Sequence, residues 1–169
     1  MAYTKLISTA ITLLLMAHTA QAQPKVSSKT YNTMLSKLLT HNVPEITIAQ
    51  AKVLPNPIYL DARESREYEV SHIPQAIYVG YNSFDMQAIT KLNKNDNIIV
   101  YCSVGYRSEK ITQKLITAGY NQVYNLYGGI FEWSNAGNSL VNAQGNTNLI
   151  HGYSKLWGVW VHGAKKVYK

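Results

Sequence analysis

The sequence has little cysteine, little charge and very little acid. Its one cysteine among 169 residues can neither close an intrachain disulfide nor fill a zinc-finger ligand set, so a stapled or metal-built scaffold is excluded. Charged residues are 15% of the chain, against roughly 25% in an average domain. Much of the surface therefore falls to Asn, Gln, Ser, Thr and the 13 tyrosines, and surface ion pairs are not its main support. Hydrophobic residues at 46% exclude a disordered chain. No apolar run reaches the ~20 residues of a spanning helix, which excludes a membrane bundle. Asp and Glu number 9 against 16 Lys and Arg, for a formal charge of +7. The imbalance is strongest at the end: no acid follows Glu132, while Lys155, Lys165, Lys166 and Lys169 do. No aromatic-and-basic motif of a nucleic-acid module accompanies them, so this end reads as a solvated basic face and no nucleic-acid partner is expected.

The first residues read as an address. Lys5 precedes an apolar run from Leu6 to Ala17, and Ala20-Gln21-Ala22 has the small-x-small form of a signal peptidase site. Cleavage after Ala22 is expected, with export to the periplasm or beyond and no membrane insertion of the mature chain. No cysteine follows the apolar run, which excludes a lipid-anchored form.

Tyr31, Met34, Leu35, Leu38 and Leu39 fall at helical spacing, predicting an amphipathic leader helix before Pro44. Ile46 and Ile48 read as a short strand, passing into a helix over Ala49 to Leu54 that Pro55 and Pro57 stop. Strands are predicted at Ile58–Asp61, at Ala76–Val79 before Gly80, and at Val123–Leu126. The strongest strand signal is Ile98-Ile99-Val100-Tyr101, an unbroken apolar run behind a turn-forming Asn95-Asp96-Asn97, which belongs in the middle of a sheet. A helix from Ser108 to Ala118 follows, with Ile111, Leu115 and Ile116 on one face and Gly119 as its cap. Gly128-Gly129 leads into a helix at Ile130–Trp133, with Trp133 as core packing. Asn135 to Asn148 is rich in Asn and Gly and reads as loop. Alternating strands and helices predict an α/β fold, a mostly parallel sheet with helices on both faces.

Chemistry is concentrated in Cys102-Ser103-Val104-Gly105-Tyr106-Arg107, between the central strand and the helix that opens at Ser108. Open parallel sheets place their sites at this carboxyl edge. A turn of this length can aim successive peptide N–H groups inward, and the following helix adds its own unpaired N–H groups and positive dipole end. Gly105 is free to take positive φ. Such a field favours the thiolate and makes Cys102 a nucleophile that needs no histidine base. Arg107 suits two roles equally: a substrate contact, or a brace reaching a carboxylate such as Asp61. His72 lies before a different strand and reads as structural, as do Asp61 and Arg63 at the sheet edge. His151 and His162 are too isolated for a metal site, and neither metal nor organic cofactor is expected.

Asp61-Ala62-Arg63-Glu64, Glu67-Tyr68, His72-Ile73-Pro74-Gln75-Ala76, Cys102-x-x-Gly105-x-Arg107-Ser108, Leu115-x-x-Ala118-Gly119-Tyr120 and Leu126-x-Gly128-Gly129-x-x-x-x-Trp133 together resemble the rhodanese family in order and spacing. The resemblance runs from about Ile46 to Trp133. With the signal sequence and the Lys155-Leu156-Trp157-Gly158 tail, the whole looks like a small single-domain rhodanese exported to the bacterial periplasm. It implies a five-stranded rhodanese-like sheet and a division into signal peptide (1–22), helical extension (23–44), rhodanese domain (45–137), and a loop and basic aromatic tail packed on the domain (138–169). Ser71 and Gln75 stand where the family often has Gly around the His-Ile-Pro segment.

The activity implied is sulfur transfer. A donor such as thiosulfate is attacked at its outer sulfur by Cys102, sulfite leaves, and a persulfide remains for cyanide or a thiol, including a protein thiol, to collect. The loop Ser103, Val104, Gly105, Tyr106, Arg107 and Ser108 is implied to hold the persulfide charge. Ser103, Val104 and Tyr106 are uncharged where some relatives carry Lys or Arg, which opens the site to donors less charged than thiosulfate. Two other readings stay open: a persulfide carrier or thiol-binding module without turnover, and a Cys-dependent phosphatase or arsenate-handling enzyme. The phosphatase-type cradle has one more residue between Cys and Arg.

Overall fold

In the computed structural model, which describes residues 26–169, the apolar run Ile98–Tyr101 is the central strand of a five-stranded sheet. The export signal expected over residues 1–22 lies outside the described residues. The strands are β1 (Glu45–Ile46), β2 (Ile58–Asp61), β3 (Ile77–Tyr78), β4 (Ile98–Tyr101) and β5 (Val123–Leu126), in the order β1-β5-β4-β2-β3. Every pairing is parallel. Of the helices α1 (Lys29–Leu38), α2 (Ile48–Val53), α3 (Ser65–Val70), α4 (Tyr106–Thr117) and α5 (Gly129–Asn135), α2, α3 and α4 supply crossovers between parallel strands, while α1 precedes β1 and α5 follows β5.

All four residues of β4 are buried, and strand alternation divides them between two cores. Ile99 and Tyr101 join Leu35 of α1, Ala51 of α2, and Ile130 and Phe131 of α5. Ile98 and Val100 join Leu60, Val123 and the Ile111 and Leu115 side chains of α4. Full burial of such a side chain is worth roughly 1.5–3 kcal/mol, and a one-residue slip would move each to the wrong layer. The helices therefore lie on both faces, as the alternation of elements predicts.

Some elements differ from expectation. Ile48 opens α2 instead of extending β1, because Thr47 caps that helix: Gln50 N–H donates to Thr47 Oγ1, and Thr47 N–H donates to Gln50 Oε1. The helix expected from Ser108 begins at Tyr106, directly after the left-handed Gly105. The stretch read as loop over Asn135 to Asn148 holds a hairpin of β6 (Leu140–Asn142) and β7 (Gly145–Thr147). Its strands have three residues each, too few to show a period. The turn between them is braced when Gln144 N–H donates to Asn142 Oδ1, and Val141 exchanges backbone hydrogen bonds with His72.

After the hairpin, β8 (Leu149–His151) and β9 (Lys165–Val167) pair in parallel, with a short 3₁₀ turn at Gly158–Trp160 between them. Ile150 and Val161 are buried in the same core as Leu35. Trp160 stacks on Tyr31 of α1 with ring centroids 5.2 Å apart, and Tyr31 Oη donates to Gly128 O. Thr40 and His41, beyond the end of α1, donate their N–H groups to the buried Glu109 carboxylate of α4. Leader and tail thus converge over the edge of the sheet where β4 ends.

Candidate active site

Cys102 follows β4 directly and is 1% exposed. Its loop is gripped from behind through its carbonyls. Ile130 N–H donates to Cys102 O at 2.9 Å and Phe131 N–H to Ser103 O at 3.1 Å, both from the first turn of α5. Gly105 O accepts from Asn125 Nδ2, Ser108 Oγ and Glu109 N–H. With those oxygens turned outward, the loop's N–H groups are left for the sulfur side. Gly105 N–H donates to Cys102 Sγ at 3.2 Å. The N–H groups of Val104, Tyr106 and Arg107 donate to no protein acceptor among the described residues. Gly105 has φ +113°, a backbone that side-chain-bearing residues rarely adopt. Gly129 is required for a different reason: a Cβ there would collide with the Cys102 carbonyl and lie 2.7 Å from the Ser103 carbonyl carbon.

A second grip comes from α3. Arg107 donates from Nη1 and Nη2 to the two oxygens of Glu67, at 2.6 and 2.7 Å, and Nη2 also reaches Ser103 Oγ at 2.9 Å. Ser103 Oγ in turn donates to Glu67 Oε1 at 3.0 Å. Burial alone would push the Glu67 carboxyl up, but the bonds and charge of Arg107, with Arg63 nearby, bring it from 4.5 down to about 2. Burial works against the Arg107 charge, and Glu67, with the Cys102 sulfur close by, more than restores it.

Arg107 thus reaches a carboxylate, but that carboxylate is Glu67 and not the suggested Asp61. Asp61 is taken by Arg63, whose Nε and Nη2 reach it at 2.9 and 2.6 Å while Nη2 also donates to Ser71 O. Tyr101 Oη donates to Asp61 as well. This fully buried group pins the ends of β2 and β4 to the segment before β3. His72 stacks on Tyr68 with centroids 3.8 Å apart, and its Nδ1 lies 3.0 Å from Tyr68 O, away from the sulfur's hydrogen-bond partners. Trp133 is buried, its Nε1 donating to Ser139 O. His151 is buried and His162 exposed, and no cluster of three His, Cys, Asp or Glu suited to a metal occurs among the described residues.

Two residues of this arrangement were not singled out as site residues from sequence. Glu67 has a signal, since it sits with Tyr68 in one of the rhodanese-like motifs. Asn125 has only the weak one of a polar residue inside a strand: fully buried, it accepts from Ser108 Oγ at 2.7 Å while holding Gly105 O. Sequence spacing carries no trace of either pairing.

The loop floors an open cleft of about 580 Å³, lined by Cys102 and its loop, by Glu64, Arg66, Tyr81 and Asn82, and by Leu38, Tyr153 and Trp157. A buried sulfur that lines an open cleft and accepts from the Gly105 N–H can take up and hold an anionic sulfur ligand.

Known proteins share this framework. A tRNA uridine(34) hydroxylase of Photorhabdus laumondii is 35% identical over 85 residues, which are 47% of this chain and 24% of that protein. Its counterpart in Yersinia pestis is 36% identical over the same share. The chain thus matches about a quarter of the length of these curated relatives. A crystal structure of thiosulfate sulfurtransferase from Pseudomonas aeruginosa aligns with a TM-score of 0.56 at 25% identity, over 68% of this chain and 23% of that one. The BH2092 protein of Bacillus halodurans aligns with a TM-score of 0.55 at 26% identity, over 69% and 86%. The family model described as a rhodanese-like domain matches residues 47–136, from the cap of α2 to the end of α5. That match takes in more than half of the chain and the whole Cys102 loop, and the chain belongs to the rhodanese-like domain family.

Proposed function

We propose that the chain is a sulfurtransferase that carries sulfane sulfur as a persulfide on Cys102, with thiosulfate among its donors and cyanide or a thiol as acceptor. The observation that carries this reading is the hydrogen bond from Gly105 N–H to Cys102 Sγ at the floor of an open cleft. The peptide N–H aimed at the sulfur and the positive end of α4 stabilise the negative charge that the sulfur carries through the transfer. The thiolate attacks the outer sulfur of the donor. A Cys102–S bond forms as the donor's S–S bond breaks, and sulfite leaves with the electron pair. The terminal sulfur of the resulting persulfide carries the charge into the reach of the Val104, Tyr106 and Arg107 N–H groups, which do not have to reorganise to receive it. An acceptor then attacks that sulfur, and the Cys102 thiolate is released.

Arg107 acts on this chemistry through the backbone, because its outer nitrogens are already bound to Glu67. A tetrahedral phosphate would have to displace that carboxylate, and only four residues separate Cys102 from Arg107; both points favour sulfur over phosphate. Export to the periplasm or beyond belongs to the same proposal, on the strength of Lys5, Leu6–Ala17 and Ala20-Gln21-Ala22. A lone thiolate there is open to oxidation, and a reduced thiol, small or on a protein, suits the acceptor role.

The test is intact mass. Reduced protein incubated with thiosulfate should gain one sulfur atom, lose it to cyanide as thiocyanate, and do so through repeated turnovers. Cys102→Ser should gain none. Sulfur transfer that survives in Cys102→Ser, or wild-type protein that gains no sulfur from thiosulfate or any thiosulfonate, would overturn the assignment. A single loading without turnover would identify a carrier instead of an enzyme.

A further inference from the structure

The Cys102 cleft is wider, and differently walled, than a small inorganic dianion requires. Its volume of about 580 Å³ lies inside the roughly 300–1,000 Å³ of sites that enclose drug-sized organic molecules. Much of its lining is apolar or aromatic: Leu38, Val104, Tyr106, Tyr153 and Trp157. Three of these, Leu38, Tyr153 and Trp157, lie outside the rhodanese-like match at residues 47–136. The leader helix and the tail have added a wall of their own to the family site.

Tyr153 is placed there against its backbone preference. Its φ is +62°, in the left-handed region that bulky residues rarely enter. Two contacts hold it. Its N–H donates to Nδ1 of the buried His151 at 3.1 Å, so the proton of the neutral imidazole sits on Nε2. The Arg107 guanidinium lies 5.1 Å from the centre of its ring, a cation–π contact that joins the tail to the sulfur loop. Trp157 is half-buried against the core that holds α1, within a turn closed by Gly158 N–H donating to Ser154 O at 2.8 Å. Strain maintained in this way beside a reactive sulfur points to use.

Charge narrows the ligand further. Arg107 is neutralised by Glu67. The other cation of the lining, Arg66, makes no salt bridge among the described residues, and Glu64 lines the same cleft. The cleft therefore offers aromatic faces and one uncommitted guanidinium, a match for a monoanion with a flat organic body.

We infer that Leu38, Tyr153 and Trp157 form a subsite for the organic group of the sulfur donor, and that its preferred donors are aromatic sulfane monoanions such as arylthiosulfonates. This rests on the persulfide reading above. The step keeps its balance: the Cys102 thiolate attacks the terminal sulfur of Ar–SO₂–S⁻, the new S–S bond forms as the sulfonyl–sulfur bond breaks, and the sulfinate Ar–SO₂⁻ leaves with the electron pair. No oxidant or reductant enters.

The experiment compares benzenethiosulfonate with methanethiosulfonate as donors to the full chain, with cyanide as acceptor, each rate divided by that of a simple thiolate with the same donor. The corrected kcat/KM should favour the phenyl donor by about tenfold, the size of one aromatic contact with its burial. Tyr153→Asn, which tolerates the left-handed backbone, and Trp157→Leu should each pull that ratio toward one, chiefly through KM. If Trp157→Leu does not fold, Leu38→Ala carries the same comparison. A wild-type ratio near one, or a ratio that survives both substitutions, overturns the subsite. Failure of the persulfide reading looks different: neither donor then adds sulfur to Cys102 in the mass spectrum.

Discussion

Removing the charge of Glu67 is the sharpest test of how the loop is held. The side chain of Glu67 is fully buried and that of Arg107 is 12% exposed, so Glu67→Gln leaves a guanidinium almost out of water without its partner. Breaking such a pair from one side costs roughly 3–5 kcal/mol, and the slight exposure of Arg107 places this case at the low end. The carboxyl's own displacement, from 4.5 to about 2, corresponds to about 3 kcal/mol of stability at neutral pH. The sign follows from the direction: a carboxyl held down in the folded chain stabilises it above its unfolded value, and that contribution fades as the pH falls from about 4.5 toward 2. Urea unfolding of wild type and Glu67→Gln should therefore differ by about 3 kcal/mol at pH 7, and the difference should shrink steadily once the pH drops below about 4.5. Persulfide loading of the variant should slow as well, since Ser103 and Arg107 lose the group that orients them. A difference under about 1 kcal/mol at pH 7, or one that does not change with pH, would show that the Glu67–Arg107 pair is not what anchors the loop.

The backbone grip can be tested from two more sides. Gly129→Ala drives a Cβ into the Cys102 and Ser103 carbonyls at φ +57°, so it should destabilise the fold by more than the ~1 kcal/mol of an ordinary glycine replacement and abolish sulfur loading; near-wild-type melting and loading would refute the role given to α5. Asn125→Ala strips Gly105 O and Ser108 Oγ of a buried partner and should cost about 1–3 kcal/mol in urea unfolding. Its loading rate should fall by more than that of a surface Asn121→Ala control, and equal rates would argue against Asn125 as a positioning residue.

The fold was largely legible because its signals are local. An unbroken β-branched run such as Ile98–Val100 can only be a buried strand, and Gly119 and the two prolines after Leu54 end their helices by backbone chemistry alone. The short strands of the β6–β7 hairpin and the β8–β9 pair were not legible. Three residues cannot display a period, and what holds these strands is each other and His72 or Asn148, residues distant in sequence or ambiguous in type. The sulfur loop stood out for the same local reason as the strands, through one Cys, one Gly and one Arg at fixed spacing. The partner of Arg107 did not, because Asp61 and Glu67 are equally plausible carboxylates until the folded chain shows Arg63 taking the first and α3 presenting the second.

By itself the amino-acid order determined the strands of the main sheet and most of their helices, where the single thiol falls relative to the central strand, and which glycine must turn left beside it; each is a matter of neighbouring residues and their intrinsic geometry. Tertiary structure alone decided that Glu67 and Asn125 clamp the loop, that the first turn of α5 faces its carbonyls, and that Leu38, Tyr153 and Trp157 meet over the sulfur. These depend on residues as many as 119 positions apart lining one cleft, which happens only once the fold has brought α1 and the tail to one edge of the sheet.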